Sequence, residues 1–224
     1  MKKLISILLC IMMIIGWSDF SSYALDTNKP TQKRIALTFD DGPHPRQTRE
    51  ILDVLDKYGV KATFFVIGVN VQNYPGIITE VLRRGHEIGN HSNTHSHADK
   101  LNETAFRNEI STCENAIFKE TGKQSRLFRP PEGAINENMK RVINETGYTN
   151  VLWSLDTRDW AHTPPDEISD YIIKNAKNGD IILMHDYIGA NSPTARALEM
   201  FIPILQERGF IFVTAGELLQ QTNK

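Results

Sequence analysis

The side chains that could do chemistry lie in five short polar segments. These are 38–43 (TFDDGP), 91–95 (HSNTH), 129–133 (RPPEG), 156–160 (DTRDW) and 183–185 (LMH). They supply carboxylates, imidazoles, a guanidinium and a tryptophan, the groups of a metal-assisted hydrolase. Most of them directly follow a short apolar run, and α/β proteins place their reactive groups at the carboxyl ends of strands. The sequence therefore predicts an enzyme whose site lies at the ends of its strands.

Asp40 and Asp41 are adjacent carboxylates that follow the apolar run 35–39. A simple turn is one reading of this segment, because Asp, Gly and Pro all favour turns. Two neighbouring carboxylates at a strand end also repel each other, and a cation between them would relieve that repulsion. In that second reading one carboxylate binds the metal and the other remains free to act as a base.

His91 and His95 are four residues apart. On a helical turn this spacing directs both imidazoles the same way, so they can bind one cation, although surface helices also produce such pairs by chance. The segment 89–97 is polar and has no Phe, Tyr or Trp, so we expect it to lie outside the core. Two histidines and one carboxylate leave a coordination position open for water, as in catalytic zinc sites. His44 and His97 are expected to be exposed or to support these ligands.

Arg129 precedes two prolines, which stiffen the chain and restrict the residue before them. An ordinary surface loop is one interpretation. The other is a guanidinium that holds a carboxylate by a two-pronged hydrogen bond and orients it. Gly133 would allow a backbone N–H to approach a ligand closely.

His185 ends the apolar run 181–184, where a buried, hydrogen-bonded histidine is the plain interpretation. A carboxylate partner would instead raise its pKa and keep a protonated imidazole ready to act as an acid. Trp160 offers a flat apolar wall suited to a sugar ring, with a core tryptophan as the alternative.

Strand and helix patterns alternate from residue 35 onward in about seven βα units. Strands are predicted at 35–39, 62–67, 87–89, from 127, 150–154, 181–184 and 210–213. Helices are predicted at 46–58, 74–84, 104–121, 136–145, 166–176, 195–208 and at the carboxyl end. This pattern predicts parallel strands covered by helices, and a compact, imperfect (β/α) barrel is favoured over a doubly wound sheet. No glycine-rich dinucleotide fingerprint follows the first strand.

The amino terminus has the pattern of a signal peptide. Lys2 and Lys3 precede an apolar run at 4–17, and a small-x-small site ends at Ala24. We expect a signal peptide at 1–24, a linker at 25–33 and a catalytic domain at 34–224, with the protein secreted or attached to the cell wall. The alternative is an uncleaved membrane anchor, although the run is shorter than the roughly 20 residues of a spanning helix. Cleavage would leave Cys113 without a partner, so it is expected to pack within a helix.

Length and charge limit the remaining function classes. The chain has 224 residues and a formal net charge of −2, which suits one domain and provides no basic surface for nucleic acid. We expect a monomer whose partner is a polysaccharide or glycan oligomer. The protein is expected to contact a membrane only through the amino-terminal segment, if that segment is not cleaved.

Taken in order, the five segments resemble those of the polysaccharide deacetylase, or NodB-homology, family (carbohydrate esterase family four). The resemblance covers roughly residues 34–220. It implies a distorted (β/α) barrel and metal-dependent removal of acetyl groups from carbohydrate, usually from N-acetylglucosamine polymers such as peptidoglycan or chitin. The implied cofactor is one divalent ion, with Zn²⁺ as first choice and Co²⁺ or another divalent cation as alternatives.

The resemblance also implies a role for each residue. Asp40 corresponds to the base and Arg129 to the residue that orients it, while His185 corresponds to the acid and Asp159 to its carboxylate partner. The metal ligands would be Asp41, His91 and His95, and the substrate-binding residues Pro131, Glu132, Trp160 and Leu183. Asp156 is similar in type, without an assigned role.

Glu132 departs from the family, which often has an aromatic residue at this position and uses its backbone N–H to bind the oxyanion. Glutamate keeps the N–H and adds charge to the groove. An acetyl-xylan esterase and a non-catalytic glycan-binding protein on the same scaffold are the alternative functions.

Overall fold

The computed structural model describes residues 32–222, so the predicted signal peptide and most of the linker lie outside the described residues. Within this range the strands are β1 (Lys33–Asp40), β2 (Ala62–Val66), β3 (Glu87–Asn90), β4 (Leu127–Phe128), β5 (Thr149–Asn150), β6 (Leu155–Asp156), β7 (Ile181–His185) and β8 (Phe210–Val213). The helices are α1 (Gln47–Tyr58), α2 (Gly68–Asn73), α3 (Ile77–Arg83), α4 (Glu103–Thr121), α5 (Glu137–Glu145), α6 (Pro165–Asn175), α7 (Thr194–Glu207) and α8 (Ala215–Thr222). Short 3₁₀ turns lie at Ala98–Lys100, Pro131–Gly133 and Asp159–Ala161.

The strands form one parallel sheet in the order β5-β4-β3-β2-β1-β7-β6, and β8 pairs with the first half of β1. Because β1 lies in the middle, its last residue, Asp40, is in register with Phe65 on one side and His185 on the other. The predicted distorted barrel of parallel strands with helices outside is confirmed. One of the polar segments ends or follows each of β1, β3, β4 and β7, and parallel pairing brings the carboxyl ends of these strands to the same side of the barrel.

The prediction of one strand at 150–154 is wrong. The chain pairs with β4 as β5, crosses in the four residues 151–154, and pairs with β7 as β6. These two short strands lie at opposite ends of the sheet order, so a single extended stretch almost closes the barrel. The sequence carries no signal for the change of partner between these two strands.

The core surrounds β1 because both faces of a parallel strand are covered. Ile35, Leu37 and Phe39 are buried in the main apolar cluster with side chains of α1 and α7. On the opposite face of β1, Thr38 and Asp40 are buried and polar. The alternation therefore separates an apolar face, which stabilises the barrel, from a polar face that serves the site.

Two other details differ from or extend the sequence predictions. The helix predicted at 74–84 begins later, as α3, because the segment at 74–76 turns and Gly76 adopts φ 87°; α2 was not predicted. Cys113 is fully buried in α4, as expected. None of the helices within residues 32–222 is long and apolar enough to span a membrane.

Candidate active site

Arg129 and Asp40 form a buried pair beneath the barrel mouth. Arg129 Nη1 donates to Asp40 Oδ1 at 2.7 Å and to Thr38 Oγ1 at 2.8 Å. The expected two-pronged bond to the carboxylate is not formed, because Nε and Nη2 donate to the carbonyls of Val151 and Leu152. The guanidinium is thereby held by the crossing segment 151–154, and it fixes one oxygen of Asp40 while Oδ2 faces the histidines.

Asp41 continues from Asp40 into a tight turn with φ 75°, a conformation that aspartate tolerates better than most residues. Asn70 Nδ2 holds its carbonyl oxygen at 2.8 Å. The chain bends at this residue, and Asp41 Oδ1 lies 3.5 Å from His91 Nε2 and 3.2 Å from His95 Nε2.

The two histidines converge without a helical turn, so that part of the prediction is wrong. The segment after β3 is irregular, with φ 67° at Ser92 and φ 58° at His95. Glu109 from α4 shapes it by accepting hydrogen bonds from the backbone N–H groups of Asn93 and Thr94 at 3.0 and 2.8 Å.

The expectation that 89–97 stays outside the interior is also wrong at its first residues. Asn90, His91 and Ser92 are buried. Burial is tolerated because their polar atoms are hydrogen-bonded. The Nδ1–H of His91 donates to the carbonyl of Arg129 at 2.8 Å, which leaves its Nε2 free as a ligand atom.

Asp41, His91 and His95 fit a divalent metal ion. Their ligand atoms all lie within 4.8 Å of one another. Tetrahedral zinc with ligands at about 2.0–2.1 Å needs ligand atoms about 3.4 Å apart, close to the 3.5 and 3.2 Å found here. Asp41 Oδ1 is also a buried oxygen that lacks a hydrogen-bond partner, as expected of a ligand atom.

The pKa values around this cluster describe competition between protons and a cation. Burial favours neutral Asp41, but the neighbouring His91 imidazole outweighs it and lowers the pKa of the carboxyl. Burial likewise opposes a charge on His91, but Asp40 and Asp41 raise its pKa, whereas burial and the charge of His91 lower the pKa of His95. A proton shared within this cluster occupies the place that a metal ion would take.

His185 faces the cluster from β7 and is tied to Asp159. Its Nδ1 lies 2.8 Å from Asp159 Oδ1, and its backbone N–H donates to Asp159 Oδ2 at 2.8 Å. Thr194 Oγ1 donates to the same Oδ2 at 2.7 Å from the first residue of α7. Burial opposes the charge on His185, but the hydrogen bond and charge of Asp159 outweigh it and raise the pKa of His185 to about 9.

These groups open into a cleft of about 390 Å³. The residues that line it are Asp40, Asp41, His91, His95, Glu132, Trp153, Asp156, Trp160, Leu183 and His185. Arg129 and Asp159 lie behind their partners, fully buried. Pro131 is not among these lining residues; it is buried at the start of its 3₁₀ turn.

Glu132 lies on the cleft in a left-handed conformation, with φ 58°. Its Oε2 is 3.1 Å from His97 Nδ1, and both side chains are about half exposed. The pair links the segment that carries the histidine ligands to the segment that carries Arg129. Asp156 accepts a hydrogen bond from the N–H of Arg158 at 2.8 Å and also borders the cleft.

Sequence reasoning missed three residues of this region. Trp153 lines the cleft and lies 5.5 Å from the Arg129 guanidinium, while Thr194 supports Asp159. Asp186 is buried behind Gly42 with its pKa raised to about 7 by burial, and Thr48 Oγ1 donates to it at 2.6 Å. Of the three, only Asp186 could have been found from the sequence, because it directly follows the 183–185 segment. Trp153 and Thr194 are brought to the site only by the fold.

The fold and the cleft together define a barrel with two hydrogen-bonded pairs, Arg129–Asp40 and Asp159–His185, beside one candidate metal site. The model of the polysaccharide deacetylase family matches residues 27–151. A peptidoglycan-N-acetylglucosamine deacetylase of Bacillus cereus is 44% identical over 191 residues, which cover 84% of this chain and 89% of that protein.

Solved structures agree with this relationship. The peptidoglycan deacetylase PdaC of Bacillus subtilis aligns with a TM-score of 0.80 at 36% identity, covering 87% of this chain and 93% of that one. A family 4 acetyl xylan esterase of Clostridium thermocellum, in complex with a cobalt ion, gives a TM-score of 0.80 at 37% identity over 85% and 92% of the chains. The chain belongs to the polysaccharide deacetylase family, carbohydrate esterase family four, and the predicted enzyme class is confirmed.

Proposed function

We propose that the chain is an exported, metal-dependent deacetylase that removes the N-acetyl group from N-acetylglucosamine units of peptidoglycan and releases acetate. One observation carries this proposal. Two buried pairs, Arg129–Asp40 and Asp159–His185, hold a carboxylate and an imidazole on neighbouring strands at a three-residue metal site. The 44% identity to a peptidoglycan-N-acetylglucosamine deacetylase supports this substrate over xylan.

Asp41, His91 and His95 would hold the cation. When bound, the cation would polarise the acetyl carbonyl and lower the pKa of a nearby water. Zinc suits two imidazoles and a carboxylate. The cobalt ion in the related esterase structure supports a divalent metal without selecting one.

Asp40 accepts a proton from the attacking water as the new C–O bond forms at the acetyl carbon. Arg129 orients Asp40, because it donates to Oδ1 and leaves Oδ2 toward His91. The backbone N–H of Glu132 donates to the oxyanion that forms on the acetyl oxygen; one such donor is typically worth about 3–4 kcal/mol.

His185 donates a proton to the amide nitrogen as the C–N bond breaks, so that acetate and a sugar amine leave. Asp159 stabilises the protonated imidazole before transfer. Trp160 and Leu183, which line the cleft, form apolar walls for the sugar ring and the acetyl methyl group.

Acetate release tests this proposal. The purified chain, stripped of metal and then refilled with zinc, is offered peptidoglycan, chitin oligomers and acetylated xylan, and Asp40→Asn is the matched inactive control. We expect zinc-dependent acetate from peptidoglycan, and sugar amine in equal amount. Acetate from xylan alone would make the protein an esterase, and none from any substrate with zinc bound would favour a glycan-binding protein.

Export is a separate part of the proposal. It rests on the amino-terminal pattern of charged, apolar and small residues, and on relatives named for a cell-wall substrate. Cell fractionation and amino-terminal sequencing test it. The protein is expected outside the cytoplasm with its first residue at Leu25, and an intact cytoplasmic chain would contradict it.

A further inference from the structure

Four aromatic side chains follow four neighbouring strands at the barrel mouth. Trp160 follows β6, Tyr187 follows β7, His44 follows β1, and Tyr74 follows β2 through α2. The sheet order β2-β1-β7-β6 therefore places them in one row, here called the aromatic rim. With neighbouring strands about 4.8 Å apart, a row across three such spacings extends about 14 Å.

Within the rim, the His44 ring contacts both tyrosine rings. His44 stacks on Tyr187 with ring centroids 4.7 Å apart and planes 13° apart, and it meets Tyr74 edge-on at 5.9 Å. His44 Nδ1 accepts hydrogen bonds from the backbone N–H groups of Arg46 and Gln47 at 3.3 and 3.2 Å, so its ring is fixed at the start of α1. The rim is therefore organised before any ligand arrives.

The rim is also where exposed aromatic surface is concentrated. Seven large apolar side chains of the described residues are substantially exposed, and three of them, Tyr74, Tyr187 and Trp160, belong to the rim. Trp160 lines the cleft, while Tyr187 lies two residues beyond His185. The rim therefore has one member in the cleft and another two residues from His185, which we assign as the acid.

We propose that Tyr187, His44 and Tyr74 form a binding subsite for further sugar units of the glycan chain whose N-acetyl group occupies the cleft. A pyranose ring presents an apolar C–H face and polar edges, which match an aromatic face and a tyrosine hydroxyl. The occupant is the same chain because one member of the rim, Trp160, lines the cleft, and Tyr187 follows the strand that carries His185. This inference rests on the proposed function, and it adds that the enzyme prefers long chains.

Chain-length dependence tests the subsite. Initial rates of acetate release are measured for N-acetylglucosamine trimers and hexamers with the zinc-loaded chain and with Tyr187→Ala. We expect the hexamer-to-trimer ratio of kcat/KM to fall about tenfold in the variant, mainly through KM, since one ring contact of this type contributes about a factor of ten.

Phe118→Ala is the matched control. Phe118 is an exposed aromatic residue near the carboxyl end of α4, which runs back from the mouth toward the opposite end of the barrel. Its removal should leave the ratio at the wild-type value. Tyr187→Phe, which keeps the ring, should retain most of the wild-type ratio.

The possible outcomes separate the two proposals. If the wild-type chain releases no acetate from either oligomer or from peptidoglycan, the proposed function fails. If it releases acetate but Tyr187→Ala keeps the wild-type ratio, the subsite is wrong and the rim serves another partner. If Tyr187→Ala does not fold, Tyr74→Ala gives the same test. The hexamer-to-trimer ratio of kcat/KM should then fall about threefold. An unchanged ratio in that variant would also overturn the subsite.

Discussion

Asp40 and Asp41 are neighbours in sequence with different surroundings. Asp40 is buried and receives a hydrogen bond from a guanidinium, whereas Asp41 Oδ1 has no donor and faces two imidazoles. A buried guanidinium is expensive to remove from water unless its donors are satisfied, and those of Arg129 reach two carbonyls, a hydroxyl and Asp40. This division fits the proposed roles, in which Asp40 acts as the base and Asp41 binds the metal.

Substitutions of the two aspartates should therefore have different effects on zinc binding and activity. Asp41→Ala is expected to lose zinc and activity together, because it removes one of three ligands. Asp40→Asn should keep zinc but lower kcat by about 10²–10⁴-fold, the usual contribution of a general base. Metal content by mass spectrometry and acetate release measure both effects, and a fully active Asp41→Ala would remove Asp41 from the metal site.

His185 should set the alkaline limit of activity. Its pKa of about 9 means that it is protonated, and able to donate, below that pH, so kcat/KM should fall as pH rises through 9. In Asp159→Asn the charge that raises this pKa is gone while burial remains. The alkaline limit of kcat/KM should then move to a pH below about 6.5, the ordinary pKa of histidine. At pH 7 this variant should therefore lose much of its kcat/KM.

A pH–rate profile of the two proteins measures this shift. Asp170→Asn, which changes an exposed carboxylate on α6, is the control and should keep the wild-type profile. The raised pKa of His185 also stabilises the fold, fully below about pH 6.5 and progressively less as pH rises through 9. An unchanged profile in Asp159→Asn would assign the limit to another group.

At the scale of elements, the packing of β2 against β3 helps to position Arg129. A Cβ on Gly89 in β3 would lie 2.3 Å from the ring of Phe65 in β2. That ring lies 4.2 Å from the guanidinium carbon of Arg129, which orients Asp40. The close approach of β2 and β3 therefore helps to position Asp40, the proposed base.

Gly89→Ala should weaken both the fold and the activity. Crowding of this kind costs about 1–3 kcal/mol, and displacement of Phe65 would move Arg129 and lower kcat. Combining it with Phe65→Leu, which makes room, should recover part of the stability. Thermal unfolding and acetate release are measured for Gly89→Ala and for the double variant. Wild-type stability and activity in Gly89→Ala alone would show that the Phe65 ring can move aside without cost.

At the scale of the whole molecule, the candidate metal site joins segments that are far apart in sequence. Asp41 follows β1 and the histidines follow β3, so a bound ion ties two parts of the barrel mouth. A ligand that binds only the folded state adds to the free energy of unfolding by mass action. The metal should therefore act on global stability as well as on catalysis.

Zinc should raise the melting temperature. At a free concentration one hundred times its Kd, it adds about 2.7 kcal/mol, which for a domain of this size corresponds to roughly 5–10 °C. Calorimetry with chelator and with zinc measures the shift. Asp41→Ala should show none, and an equal shift in that variant would place the stabilising ion elsewhere.

The sequence predicted most helices and the apolar strands because each has its own period and its own end signals. α1, for example, buries Ile51, Leu52 and Leu55 at helical spacing and ends at Gly59 with φ 64°. The pattern could not predict the exchange of partners between β5 and β6, since an extended segment reads the same whichever strands it pairs with.

The sequence by itself determined the reactive side chains, their order and, through the resemblance of the five segments, the family. Only the tertiary structure decided how they meet. His91 and His95 converge through a loop shaped by Glu109 and not through a helical turn, and Trp153 and Thr194 reach the site from distant segments. The physical reason is that residue type and periodicity are local, whereas positions at a barrel mouth depend on strand pairing across the whole chain.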